Sequence, residues 1–283
     1  MYDKENILKK VKSLKKIVGT GKQEREISAP DNLVYLCYRG SIAHNMYIPS
    51  TSPDSVDDID LLGVFLSPHN YYFGISQAKS VNPATIEIMQ EVDGVLLDCV
   101  FYEIKHFVGM ALKSNPNIFI SLWVDPEHQI HMSRLFKRLY DVRDHFLGRH
   151  NIYRAFTGYA NDQMKDMTKF NKKGYMGEKR KKLIAKFGYD TKNAAHLIRL
   201  LNMGIETLDK GTINVARTHD RGVLLDIKTG KWPLQDVKAR ANDLFVIAED
   251  AYKRSTVREE PLRDEVEEIL ETILADYLCH GEV

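Results

Sequence analysis

Cysteine is scarce in this sequence, and so are tryptophan and proline: three, two and nine among 283 residues. Cys37, Cys99 and Cys279 are widely separated, odd in number and form no CxxC pair, which excludes a disulfide framework and a zinc knuckle and suits a reducing cytoplasm. No stretch approaches the roughly 18 consecutive apolar residues of a membrane-spanning helix. The opening MYDKENILKKVKSLKKIVGT lacks the unbroken apolar run of a signal peptide; it reads as a Lys-rich amphipathic helix with Ile7, Leu8, Val11, Leu14 and Val18 on one face. There is no internal repeat and no low-complexity tract. With 43% hydrophobic and 28% charged residues, extended disorder is excluded as well, and the length suffices for one large domain or two ordinary ones.

The net charge is only +1, but it is unevenly spread. Residues 161–199 carry eleven Lys or Arg against four acids, a net +7, whereas residues 241–283 carry four against twelve, a net −8. A basic region and an acidic tail coexist.

Asn32 to Tyr38 (NLVYLCY) reads as a strand that ends at Arg39-Gly40-Ser41, Pro49 to Asp57 as a loop, and Ile59 to Leu66 as a strand buried on both faces. In TIEIMQEVDGVLLDCVFYEI, Asp93-Gly94 separates two strand-like runs and signals a hairpin. From Tyr102 onward the periodicity turns helical, with a helix from Thr191 to Asp209 stopped by Gly211 and two more near 236–252 and 261–277. The expected fold is α+β: a small mixed-sheet catalytic domain over residues 1–125, then an all-helical domain over 126–283.

Asp58-Ile59-Asp60 opens the buried strand, where residues i and i+2 point to the same side. Two carboxylates aimed at one spot on an apolar strand repel each other unless a cation lies between them, and an oxygen-only set favours Mg²⁺ or Mn²⁺. Asp98 sits alone among Leu96, Leu97, Cys99 and Val100; on a neighbouring strand it can complete the metal cage and accept the proton of an attacking hydroxyl. Gly40 and Ser41 follow a strand and open a helix, so backbone N–H groups and the Ser hydroxyl can grip a triphosphate. A D-x-D alone is common in solvated strand ends. Its combination with the Gly-Ser turn and a lone strand Asp points to nucleotidyl transfer.

At these residues the chain resembles the DNA polymerase β-like nucleotidyltransferase superfamily, whose signature is Gly-Ser, a spacer, D-x-D and a third Asp on a later strand. The stretch YRGSIAHNMYIPSTSPDSVDDIDLLGVF is similar to the predicted nucleotidyltransferases of bacteria and their phages, with an R-G-S-x-A-x-G-like opening followed by D-S-D-I-D. The likeness runs through Tyr71-Tyr72-Phe73-Gly74, Asn115-Pro116 and GYDTKNAAHLIRLL, over residues 33–210. It implies catalytic and metal roles for Asp58, Asp60 and Asp98, and phosphate contacts for Gly40 and Ser41. Here the spacer to Asp58 is longer than the pattern, and Asn45 stands where the family often has glycine.

The helix from Thr191 carries an apolar stripe (Ala194, Leu197, Ile198, Leu201, Ile205, Leu208) and a second stripe of Lys192, His196 and Arg199 at i, i+4, i+7. Tyr189 offers a ring just before it and Asp190 an N-cap. On residue chemistry alone these are as readily surface charges and a half-buried histidine. The resemblance, through G-Y-D-x-K-x-A-x-H-x-x-R, implies that Tyr189, Lys192, His196 and Arg199 serve the nucleotide or the acceptor.

Lys165, Lys169, Lys172, Lys173, Lys179, Arg180, Lys181, Lys182 and Lys186 are interleaved with Phe170, Tyr175 and Phe187, a composition that suits nucleic acid, although a charge run is more often a solvated face. Gly19-Thr20-Gly21-Lys22 imitates the end of a phosphate loop, but Lys16 stands where that motif needs glycine and no strand is expected before it, and His128-x-x-His131 reads as a surface turn. The expected partners are a nucleoside triphosphate and an acceptor that is an RNA or DNA end, a protein side chain or a small molecule. The rival from another class is a catalytically silent nucleotide-binding or interaction module of the same fold.

Overall fold

In the computed structural model, which describes residues 3–18, 24–48, 58–73, 83–168 and 178–281, helix α1 (Lys4–Lys12) is capped by the Asp3 carboxylate, which accepts from the Asn6 N–H at 3.3 Å. The helix ends earlier than its apolar spacing suggests. Lys15–Val18 is strand β1, paired antiparallel with β2 (Arg25–Ser28). The helical period through Val18 is thereby corrected: β-branched Ile17 and Val18 take the extended form once β2 supplies a ladder, and Ile17 is left 68% exposed.

Strand β3 (Leu33–Tyr38) runs into the short helix α2 (Gly40–Ala43), as the Gly-Ser turn implies. Asp58 leads into β4 (Ile59–Phe65), followed by α3 (His69–Phe73) and the hairpin of β5 (Thr85–Val92) and β6 (Val95–Glu103). The hairpin turn is Asp93-Gly94, both at positive φ (+50° and +74°), the conformation an Asp-Gly pair favours. Then come α4 (Ile104–Ala111), capped by the buried Glu103 carboxylate, α5 (Pro116–Phe119), and β7 (Gln129–Met132). The rest is helical: α6 (Arg134–Asp141), α7 (Arg149–Asp166), α8 (Glu178–Phe187), α9 (Thr191–Lys210), α10 (Arg221–Lys228), α11 (Leu234–Arg254) and α12 (Arg263–His280). Asp190 caps α9 as expected, and Gly211 at φ +64° ends it.

The main sheet has the order β5-β6-β4-β3-β7, with β4 and β6 parallel and the other neighbours antiparallel. The fold is α+β, as the sequence predicts. The last strand comes from beyond residue 125, and one apolar core runs from β3 and β4 through the helices to Tyr277. His128 and His131 do not form a surface turn. His128 is buried, and His131 is half-buried on β7, its Nε2 3.1 Å from the Leu33 carbonyl, because four residues suffice to close this sheet edge.

Strand parity decides where the acids point. Ile59, Leu61 and Phe65 of β4 join Leu97, Cys99 and Phe101 of β6 under α1, on one face. Leu62 and Val64 pack with the helices on the other, and Asp60 shares their parity. The helical face of the sheet is therefore the one that carries acids.

Candidate active site

Asp60 and Asp98 are paired residues in the β4–β6 register, so the lone acid of β6 does lie beside the D-x-D strand. Their side chains are 23% and 28% exposed. Asp58 lies partly exposed at the start of β4, close enough for its charge to act on Asp60. Burial pushes the Asp60 carboxyl up to about 6, against the opposing pull of Arg39 and Lys192 and with added repulsion from Asp98 and Asp58.

Arg39, just after β3, lines the cleft beside these carboxylates, a place that the strand and helix periodicities do not reveal. Its backbone N–H donates to the Asp60 carbonyl at 2.9 Å, and its Nη2 lies 3.5 Å from Asp98 Oδ2 and 4.0 Å from Asp60 Oδ1. A cation placed directly between a strand and a Gly-Ser turn is the signal that could have found it. Gly40 has φ +59°, and a Cβ there would sit 2.1 Å from Asp60 Oδ2, so only glycine lets the turn close over this carboxylate.

The facing wall is the start of α9. Arg39, Gly40, Ser41 and Asp60 on the sheet side and Lys192, His196 and Arg199 on α9 line one cleft of about 280 Å³, floored by His44, Met46, Ile120 and Lys228. Among the described residues, the buried atoms Arg39 Nε, Ser41 Oγ and Arg199 Nη1 of this lining find no hydrogen-bond partner. Burial, then repulsion by Arg217, lowers Arg199 to about 9, which leaves it charged at neutral pH.

The loop after α2 is fastened to the helical half. Arg217 N–H donates to His44 O at 3.3 Å, Arg221 Nε to Asn45 O at 2.6 Å, and Lys228 Nζ to Met46 O at 2.9 Å. His44 Nδ1 lies 3.0 Å from the Val215 carbonyl, which requires the hydrogen on Nδ1, and burial followed by the Arg199 charge holds the ring neutral. Asn45 has φ +55°, so the position demands a left-handed backbone. Asparagine is the non-glycine residue best suited to it, which accounts for its place where the family often has glycine.

Tyr189 is not brought into the cleft. Its side chain is buried in the core and its hydroxyl donates to Trp232 O at 2.6 Å, because its ring completes the packing ahead of α9. Of the basic stretch, Lys169, Lys172, Lys173, Phe170 and Tyr175 lie outside the described residues, as do Gly19 to Lys22 and Pro49 to Asp57. Among the described residues, the one set of at least three His, Cys, Asp or Glu side chains with ligand atoms within 4.8 Å of one another is Asp125, Glu127 and His128, away from the cleft. Asp58, Asp60 and Asp98 do not close to that spacing, and Arg39 stands between two of them.

The profile of the RNA repair pathway DNA polymerase beta family, RlaP, matches residues 8–270. The chain belongs to the RlaP family. The match spans the sheet, the cleft and nearly all the helical half, so the Gly-Ser turn, the carboxylates and α9 all lie within the RlaP region. No curated protein matches the chain. Among solved structures it is similar to a nucleotidyltransferase-like protein from Exiguobacterium sibiricum 255-15, at 10% identity over 89% of this chain and 87% of that one, with a TM-score of 0.26. No helix among the described residues is long and apolar enough to cross a membrane.

Proposed function

We propose that this RlaP-family protein is a metal-dependent nucleotidyltransferase that moves an NMP from an NTP to an acceptor hydroxyl. The observation that supports this best is that three buried donor atoms without a partner, Arg39 Nε, Ser41 Oγ and Arg199 Nη1, belong to residues lining the same cleft as Asp60, whose register partner Asp98 lies outside the lining. Buried donors without partners cost free energy unless a ligand supplies acceptors. A triphosphate supplies several, and its charge suits Lys192 and Arg199.

The donor chemistry suits a divalent ion, which would have to draw the three acids closer than they stand. The donors are carboxylate oxygens, Asp60 and Asp98 on paired strands and Asp58 just before β4, and Gly40 leaves a cradle that a Cβ would fill. When bound, Mg²⁺ or Mn²⁺ supplies charge neutralisation at the reacting phosphate and lowers the pKa of the attacking hydroxyl. Asp58, Asp60 and Asp98 would hold it. Asp98 accepts the hydroxyl proton as the new O–Pα bond forms and the bond to the bridging oxygen breaks, and pyrophosphate leaves along Ser41 and Arg199. The family's description as part of an RNA repair pathway favours an RNA end as acceptor.

The test is incubation with each α-³²P-labelled NTP, Mg²⁺ and a lysate containing RNA, DNA, proteins and metabolites, using wild type and Asp58→Ala/Asp60→Ala. Label transferred by wild type alone, into the RNA fraction, is the expected result. Mg²⁺-dependent NTP binding without transfer to any fraction would instead favour the silent nucleotide-binding module.

A further inference from the structure

Two carboxylates at paired positions of adjacent strands repel each other, and in this protein Arg39 relieves that repulsion. Its Nη2 approaches Asp98 at 3.5 Å and Asp60 at 4.0 Å, while its Nε is buried and unpartnered. An arginine committed to a structural pair makes short, forked contacts. Arg217 does so in this chain, with bonds of 2.7 Å to both Glu206 oxygens. The long, one-sided contacts of Arg39 put its charge where an ion between the carboxylates belongs, without the geometry that would lock it there.

We propose that Arg39 is an internal counter-cation: it holds the ion's place between Asp60 and Asp98 in the metal-free protein, and turns to the triphosphate when ion and nucleotide arrive together. This rests on the assignment of these carboxylates as metal ligands. An ion arriving alone has to displace a guanidinium that then has no anion to meet. An ion arriving with NTP gives that guanidinium phosphate oxygens, and the free Nε a partner. Metal and nucleotide therefore strengthen each other's binding through Arg39, and by linkage the coupling is the same in both directions.

The experiment is Mn²⁺ binding to the metal-free protein without nucleotide, by calorimetry or electron paramagnetic resonance, for wild type, Arg39→Gln, Arg39→Lys and Asp58→Ala/Asp60→Ala. Arg39→Gln is expected to bind Mn²⁺ about fivefold more tightly than wild type, the factor a half-buried ion pair commands. Arg39→Lys, which keeps the charge on a shorter reach, is expected in between and serves as the reporter if Arg39→Gln melts below the assay temperature. The gain in Mn²⁺ affinity brought by α,β-methylene-ATP, corrected for the analogue's own Mn²⁺ binding, should shrink in both variants. Equal or weaker Mn²⁺ binding by both folded variants overturns the role of Arg39. If Arg39→Gln binds no more Mn²⁺ than Asp58→Ala/Asp60→Ala, the metal assignment itself fails, and the counter-cation with it.

Discussion

Two arginine–carboxylate clusters of opposite character both act on Arg199, whose charge senses Arg217 and Asp220 of one and Asp60 of the other. Arg217 is fully buried and saturated: it donates to Glu206 at 2.7 Å through both terminal nitrogens and to Asp220 at 3.0 and 2.7 Å, and Asn202 completes Asp220 at 2.8 Å. Arg39 meets Asp98 and Asp60 at 3.5 and 4.0 Å and leaves Nε unpartnered. The carboxyls register the difference. Burial pushes Asp220 up, but the Arg217 bond and charge more than reverse this and its pKa falls; burial of Asp60 outweighs Arg39 and its pKa rises to about 6. The same chemical groups are saturated in one cluster and leave an open donor in the other, which is where the proposed ligand would bind.

Four substitutions or titrations sharpen this contrast. The largest effect is expected for Asp60→Asn, with label transfer down by about a thousandfold or more through loss of a metal ligand, while the metal-free protein melts no lower than wild type. A lowered melting point with activity retained would reverse the roles of the two clusters. Next, Arg217→Met strands Glu206 and Asp220 without their cation and should cost about 3–5 kcal/mol in denaturant unfolding. A change below about 1 kcal/mol would show that the saturated cluster is dispensable.

Arg199→Gln removes a buried charge whose Nη1 finds no hydrogen-bond partner among the described residues, so the expected outcome is a KM for NTP raised by roughly 10–100-fold with stability held or improved. An unchanged KM would take α9 out of the nucleotide site. The smallest effect is a pH dependence of opposite sign in the two clusters. Asp60 has a folded pKa above its unfolded one, so the folded state holds the extra proton and stability is lost as pH rises from about 4 to about 6, by on the order of 2 kcal/mol. Asp220 has a depressed folded pKa, so its contribution is present above the unfolded value and is lost as pH falls through the folded one. The melting difference between Asp60→Asn and metal-free wild type should widen across that window and level off above it, and a flat difference would contradict the assigned shift.

Much of this site was legible in the sequence because it breaks local rules. Asp98 is conspicuous as a lone acid among Leu96, Leu97, Cys99 and Val100, and its pairing with Asp60 follows once β6 lies parallel to β4. The helix from Thr191 announced itself by period and cap. Arg39 was legible only as the cation of the Arg39-Gly40-Ser41 turn, whereas His44 and Lys228 were not legible, since a cation or histidine at a helix end carries no periodicity, and the floor of the cleft is assembled from residues nearly two hundred positions apart. The Arg217 cluster draws on residues 202 to 220 across a loop, and no spacing rule foretells it. Tyr189 misled because an aromatic beside a cationic stripe looks the same whether it faces a base or the core. Strands β1, β2 and β7 were missed because each is four residues long, and in β1 the spacing of Leu14 and Val18 imitates a helix.

The most direct test of the central claim is calorimetric titration of wild type, Asp60→Asn and Arg199→Gln with α,β-methylene-ATP, with and without Mn²⁺. Tight binding by wild type only with Mn²⁺, weakened in both variants, is the predicted result. Binding by wild type that ignores Mn²⁺, or that survives both substitutions, would contradict a cleft built from a carboxylate wall and a cationic wall around one metal–nucleotide complex.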